Sequence, residues 1–518
     1  MRTSRACGSV SWCWRRRQLL RQLGLAGLVA ALPRVASANA APVPETPTPF
    51  GFDQVRARAE ALAGRAYTSP RVNLPQPLAG QDVNIRFRGA HGLWRDDAHP
   101  FRVALAHLGG PQRWPVQLNV IEDGIVLRLP YRPDMFDFGE IQLARDLDPG
   151  FGFAGIMLHH SDADPRDFPE VAAFEGSSRF RLIGHDQEYG ASARALAINI
   201  ATPDGEELPR FREFWLERPQ AGAEAVMLYA LLDSPSLTGA YRFVVRPGLV
   251  TVAEITATLF TRAAVRKLGI APLSAMFLYD QIETDRFDDI RPEVHDADGL
   301  LMHNGQGLWI WRTLINHGSL QVSAFVDDGS KGFGLFQRDR AFAHYQDLSV
   351  RFDRKPSLWV EPIGSWGPGW VELVEIPSDR DQYENVVAYW VDDKPVSAGA
   401  QVELAYRLHA QGPEPRRPPL GRVEDVWVGA GSEPGARRFV VDFAGGPLTA
   451  LGVPPEPVFT VRRGRLGEVG IKANQPINGW RASLELHPEG EESCEISGYL
   501  QQGAERVTET WVYRWTGQ

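Results

Sequence analysis

The chain has 518 residues, room for more than one domain and for large cores. A net charge of -9 and an isoelectric point near 5.8 leave no dominant basic surface, which excludes nucleic acid as the main partner. Aromatic residues make up 10 % of the chain, with 15 Trp, and 50 Gly and 39 Pro punctuate it, a composition that suits a turn-rich β protein rather than a helical bundle.

Residues 1–40 read as an export signal. Arg15, Arg16 and Arg17 lead into Gln18-Leu19-Leu20-Arg21, a twin-arginine-like pattern. The apolar run from Leu23 to Leu32 is about half the length needed to span a bilayer. Ala38-Asn39-Ala40 then supplies a cleavage site, so the mature chain is expected to start at Ala41, in the periplasm of a bacterium. An ordinary Sec signal rich in arginine is the competing reading. Cys7 and Cys13 fall in this segment, so Cys494 alone remains and the mature fold is expected to rest on packing without a disulfide. No Cys/His spacing suits a metal ion, and neither metal nor cofactor is expected.

Phe52 to Ala66 reads as a short amphipathic helix, with Asp53 as N-cap and Val55, Ala59, Leu62 and Ala63 on one stripe. Beyond it the texture is β: short runs rich in Val, Ile, Phe, Tyr and Trp, broken by Gly, Pro, Asn and Asp. The clearest strands are 226–232, 241–245, 250–260, 371–376 and 386–391. The pattern predicts an all-β protein, with a large antiparallel sandwich over residues 45–408. A Pro-rich, charged stretch predicts a linker over 409–422. Residues 423–518 have the size and alternation of a small immunoglobulin-like sandwich, as in Phe439, Val441 and Phe443.

Two acidic segments stand out. In the first, Arg291 to Trp311, Glu293, His295, Asp296 and Asp298 precede Trp309 and Trp311. A spacing of two along an extended segment would put Asp296 and Asp298 on one face and Glu293 on the other. The second is a loop, expected after a strand that Pro377 ends, carrying Asp379, Asp381 and Glu384. Carboxylates beside exposed indole rings suit the holding and cleaving of a sugar chain, since rings cover the apolar face of a pyranose while acids handle protons. Arg338, Trp359, Glu361 and Trp366 lie between the two segments as further sugar-binding candidates. The bland alternatives are turn-forming acids, Arg/Asp clamps and core tryptophans.

Longer strings decide between these readings. Tyr189 to Arg194, Gly205 to Pro209, Phe214 to Pro219, Ala230 to Tyr241, Gly269 to Leu273, Arg291 to Leu301, Gly332 to Arg340 and Pro356 to Pro362 together resemble the periplasmic glucans biosynthesis protein G and D family of Gram-negative bacteria. The twin-arginine pattern is closer to the D branch. The resemblance implies a galactose-mutarotase-like β-sandwich followed by an immunoglobulin-like domain. It implies an inverting β-1,2-glucanase, or a transglycosylating relative, in the making of osmoregulated periplasmic glucans. Its implied partners are β-1,2-glucan and an inner-membrane glucan synthase, and a homodimer is compatible with it. A non-catalytic glucan-binding role remains the third reading.

By motif, the family's H-D-S-D-G aspartate falls on Asp296 and its E-T-x-D-N loop on residues 381–385. Glu384 thus stands for the second catalytic Asp and Asp381 for the Glu, while His295, Asp298 and Glu293 become supports. Ser365 replaces an Asp in the D-W-G string, and Leu308 replaces a Glu in G-E-W-I-W. Asp to Glu moves a carboxyl by roughly 1 Å, a displacement that can cost about 100-fold in rate unless the shortened neighbour at 381 compensates. The resulting expectation is Glu384 as general acid and Asp296 as general base.

Overall fold

The computed structural model describes residues 49–518 apart from 71, 73, 81–83, 142–146, 148–149, 162–166, 284–285, 413–417, 491–492 and 518. The export signal and the centre of the Pro-rich stretch therefore lie outside the described residues. The longest described helix, Phe52–Ala63, has 12 residues and is the first element. Its N-cap is Gly51, not Asp53: the Gly51 N–H donates to Gln54 Oε1 at 2.7 Å, which leaves Asp53 in the first turn. Val55 and Ala59 are buried against Trp215, Tyr229 and Ala240, so the expected stripe does meet a sheet.

Everything after it is organised by two large sheets. The first has ten strands and runs from Phe101–Ala106 through Arg179–Leu182, Ser192–Arg194, Leu268–Ala275 and Val386–Asp392 to Gly369–Glu375 and its edge Gln321–Asp327. The second has fifteen strands, among them Arg210–Glu217, Val226–Asp233, Leu237–Arg246, Thr251–Thr261, Gln401–Gln411, Ser357–Pro362, Gly332–Phe336, Gly299–His303 and Trp309–Thr313. All five strands expected from the sequence occur, each within two residues of its predicted ends apart from Leu237–Arg246, which starts earlier.

The sheets pack face to face. Phe174 and Phe180 of the first meet Phe243 of the second at ring distances of 5.1 and 5.4 Å, in edge-on geometry. Strand Leu268–Ala275 is buried at every position, as a central strand covered on both faces must be. It carries a bulge at Ala271 and Pro272, where Ala271 takes φ +50°. Such an extra residue bends the strand and re-aims the chain that leaves it, here Met276 at the mouth of the site.

The C-terminal strands continue the second sheet. Thr510–Trp515 pairs in parallel with Trp309–Thr313, and Cys494–Gln502 and Glu456–Arg462 follow it outward. A separate five-stranded sheet, including Arg422–Ala430, Arg437–Ala444 and Gly479–His487, covers them. Its Phe439, Val441 and Leu484 share one core with Trp311, Phe336, Trp359 and Trp511. Residues 49–518 form one compact unit.

Candidate active site

Three stretches remote in sequence converge on a cavity of about 450 Å³. Strands Arg179–Leu182 and Ser192–Arg194 contribute Arg179, Arg181 and Arg194, the 293–298 segment contributes Asp296, and the loop after Glu375 contributes Asp381, Gln382, Tyr383 and Glu384. Buried side-chain amides fix the loop at both ends. Asn385 donates from Nδ2 to the Phe277 carbonyl at 2.8 Å and accepts from the Phe277 N–H at 2.8 Å. Asn316 accepts from the Ser378 N–H at 3.0 Å and donates to the Ser378 carbonyl at 2.7 Å.

Asp296 is held by its own N–H, which donates to the Met276 carbonyl at 2.8 Å. Burial pushes its carboxyl up to about 6, and the neighbouring Glu384 adds to the rise; the Lys355 ammonium and Arg181 pull the other way. Lys355 is itself buried and donates to the Tyr189 carbonyl. Its stem fits because position 190 is glycine: a Cβ there would lie 3.0 Å from the Lys355 side chain. Glu384 accepts from Ser192 Oγ at 2.9 Å, pairs directly with Arg179, and has Arg181 at 3.7 Å. Asp381 pairs at 2.9 Å with Arg291, which also binds Asp289 and Asp347.

The expected sharing of a face by Asp296 and Asp298 does not hold. The strand Val294–His295 ends before them and the next begins at Gly299, so the chain turns between and alternation fails. Asp298 points instead toward a separate cavity of about 40 Å³, with Glu293, His295 and Arg338. There its Oδ2 accepts from the Arg338 and Asp339 N–H groups at 2.8 and 2.9 Å. His295 bridges Glu293 at 3.0 Å and Gln337 at 2.9 Å. Burial alone would lower the imidazole, but the hydrogen bond and charge of Glu293 outweigh it and raise it to about 9. These three residues brace the segment that carries Asp296.

The expected tryptophan platforms are elsewhere. Trp309, Trp311 and Trp359 are buried in the C-terminal core, with Trp309 stacked on Trp359 at 5.7 Å. Gly299 is glycine because a Cβ would fall 2.1 Å from the Trp311 ring. Trp366 lines a different cavity with Leu268, Ile270 and Leu404. Arg338 clasps the buried Glu509 at 2.6 and 2.9 Å and lies 3.6 Å from the Trp311 ring, and Glu361 pairs with His409 at 2.9 Å on the adjacent strand. Both are clamps within the fold. Glu293, Asp339 and His344 bring ligand atoms within 4.8 Å of one another, a grouping that no sequence spacing announced. Two contacts already engage them: His344 with Asp339, and Glu293 with His295.

Residues 50–515 match the family model described as periplasmic glucan biosynthesis protein, MdoG. The chain belongs to the MdoG family of periplasmic glucan biosynthesis proteins. It is 42 % identical to glucans biosynthesis protein D 1 of Ralstonia nicotianae, over 97 % of this chain and 98 % of that one. It is 41 % identical to glucans biosynthesis protein G of the same organism, over 94 % and 99 %, and 39 % identical to a probable glucans biosynthesis protein D of Shewanella oneidensis, over 97 % and 95 %. Among solved structures, a galactose mutarotase related enzyme from Lactobacillus acidophilus aligns with a TM-score of 0.21 at 9 % identity, covering 46 % of this chain and 96 % of that one, a likeness too slight to carry an argument.

In this MdoG-family chain the cationic half of the cavity is what sequence reasoning missed. Arg179 and Arg181 stand two apart in Arg179-Phe180-Arg181-Leu182, so one strand face presents both, and Phe180 turns inward to the core. That alternation was readable, although alternating arginines usually mean no more than a solvated face. Ser192 and Lys355 gave no local sign of their roles.

Proposed function

We propose that the protein is a periplasmic glycoside hydrolase that cleaves β-1,2-glucan with inversion, during the making of osmoregulated periplasmic glucans. The observation that carries this reading is the convergence of Asp296 and Glu384 on one open cavity, where burial has raised Asp296 to about 6. A general base works best with a proton affinity near the ambient pH, and above pH 6 Asp296 is ionised and more basic than a solvated aspartate.

In the proposed reaction Glu384 gives its proton to the glycosidic oxygen as the bond from the anomeric carbon breaks. Water attacks that carbon from the opposite face and loses its proton to Asp296, directly or through intervening hydroxyls. In the free protein Glu384 is the acceptor of Arg179 and Ser192, so sugar entering the cavity must displace the Arg179 contact before Glu384 can carry a proton. The loop's anchoring by Asn316 and Asn385 favours a second reading of the same chemistry, in which a sugar hydroxyl replaces water and the protein transfers or cyclises glucan. Export by a twin-arginine signal over residues 1–40, and contact with a membrane glucan synthase, complete the proposal.

Separate Asp296→Asn and Glu384→Gln variants test it on linear β-1,2-glucan. Each is expected to lose about 100-fold or more of its sugar release. Azide should restore turnover to Asp296→Asn as a glycosyl azide, whereas Glu384→Gln should recover only on substrates whose leaving group needs no proton. Near-normal release by either variant removes that residue from the mechanism.

A further inference from the structure

We propose that Tyr383 is the sugar platform of this cavity, stacking on the apolar face of a pyranose unit next to the bond to be cleaved. The inference rests on the reading of the cavity as a glucan site. Binding a pyranose calls for an aromatic ring open to solvent, because its axial C–H groups form an apolar face that water solvates poorly. The tryptophans that composition suggested do not supply one here: three are buried and Trp366 lines another cavity. Among the residues lining the Asp296 cavity, Tyr383 alone is aromatic.

Its setting suits that task and no evident structural one. Tyr383 is 57 % exposed, and among the described residues its side chain makes no hydrogen bond and no ring contact. A tyrosine serving the fold would tuck its ring against neighbours or spend its hydroxyl on a partner. On either side, however, the chain is tied down: Asp381 to Arg291 at 2.9 Å, Glu384 to Arg179 and Ser192, and Asn385 to Phe277. A free ring is therefore carried on a fixed stretch of backbone, one residue before the proposed proton donor. A sugar stacked on it would have its glycosidic oxygen within reach of Glu384. The adjacent Gln382 lines the same cavity and offers an amide to the equatorial hydroxyls.

The test is calorimetric binding of a linear β-1,2-gluco-oligosaccharide to the full mature chain carrying Glu384→Gln, compared with Glu384→Gln/Tyr383→Ala and Glu384→Gln/Tyr383→Phe. The alanine is expected to weaken binding about tenfold and the phenylalanine to stay within about twofold, since the ring and not the hydroxyl does the holding. In the otherwise unaltered protein, Tyr383→Ala should raise KM about tenfold with little change in kcat or melting temperature. Undiminished binding by the alanine variant, or a loss confined to kcat, overturns the platform and leaves the glucan reading standing. A folded Glu384→Gln parent that binds no glucan overturns both.

Discussion

Asp296 and Asp298 both have carboxyls pushed up to about 6 by burial, yet their surroundings give them different work. Asp298 accepts two backbone N–H groups and braces a turn, whereas Asp296 lines the large cavity with a lysine and an arginine as its only opposing charges beside His295. The rate should therefore fall as pH drops below about 6, because protonation disables the base. Lys355 pulls the Asp296 carboxyl down, so Lys355→Met should move that acidic limb to higher pH; a pH profile of kcat/KM on glucan checks both. At this scale the acids were legible because runs such as Asp379 to Glu384 are rare in a β chain and fell beside aromatics. The tryptophans misled because local composition marks an aromatic residue but not its depth. Trp309 and Trp311 alternate with Ile310 toward a second core that only the C-terminal strands create.

Among elements, the loop from 376 to 385 and the clamp at Arg338 bear most of the consequences. Asn385→Ala would leave the Phe277 N–H and carbonyl without partners, at a cost of about 1–3 kcal/mol. The same change should lower kcat by about 100-fold, because Glu384 follows the loop. Denaturant unfolding and initial rates separate the two effects. Arg338→Met strands Glu509 as an unpaired buried carboxylate and should cost about 3–5 kcal/mol, read from urea unfolding, with a smaller loss when Glu509→Gln accompanies it. The strands were legible from their alternation and their Gly/Pro bounds. The helix cap was misplaced because Asp53 and Gly51 both suit an N-cap, and the choice fell to Gln54, whose side chain returns to Gly51. Alternation also failed across 296–298, where a turn replaces the extended chain that the spacing rule assumes.

Over the whole molecule, buried ionisable groups set a common direction with pH. Burial pushes Asp280 up to about 8 and Glu283 up to about 7, and the Glu293 partner lifts His295, against burial, to about 9. Each binds its proton more tightly folded than unfolded, so the stability it contributes is complete at low pH and is lost as pH rises through those values. The melting temperature should decline from pH 6 to pH 9, and Asp280→Asn, which keeps an acceptor for the Ile282 N–H, should gain about 2 °C or more over the parent at pH 9 and little at pH 5. The layout of the sheets was legible as many strands in sequence, but their pairing was not. Nothing in residues 510–515 says that they will add in parallel to 309–313 and so extend one sheet through the C-terminal region. Long-range pairing is fixed by which faces remain unburied once local strands have formed.

The most direct measurement follows the protein incubated with linear β-1,2-glucan, with products resolved by mass and the newly formed anomeric centre followed by NMR. Short reducing oligosaccharides appearing first as the α anomer, and absent with Asp296→Asn or Glu384→Gln, are the expected result. Intact glucan after prolonged incubation, or the same products from both variants, would contradict a hydrolase centred on those two carboxylates.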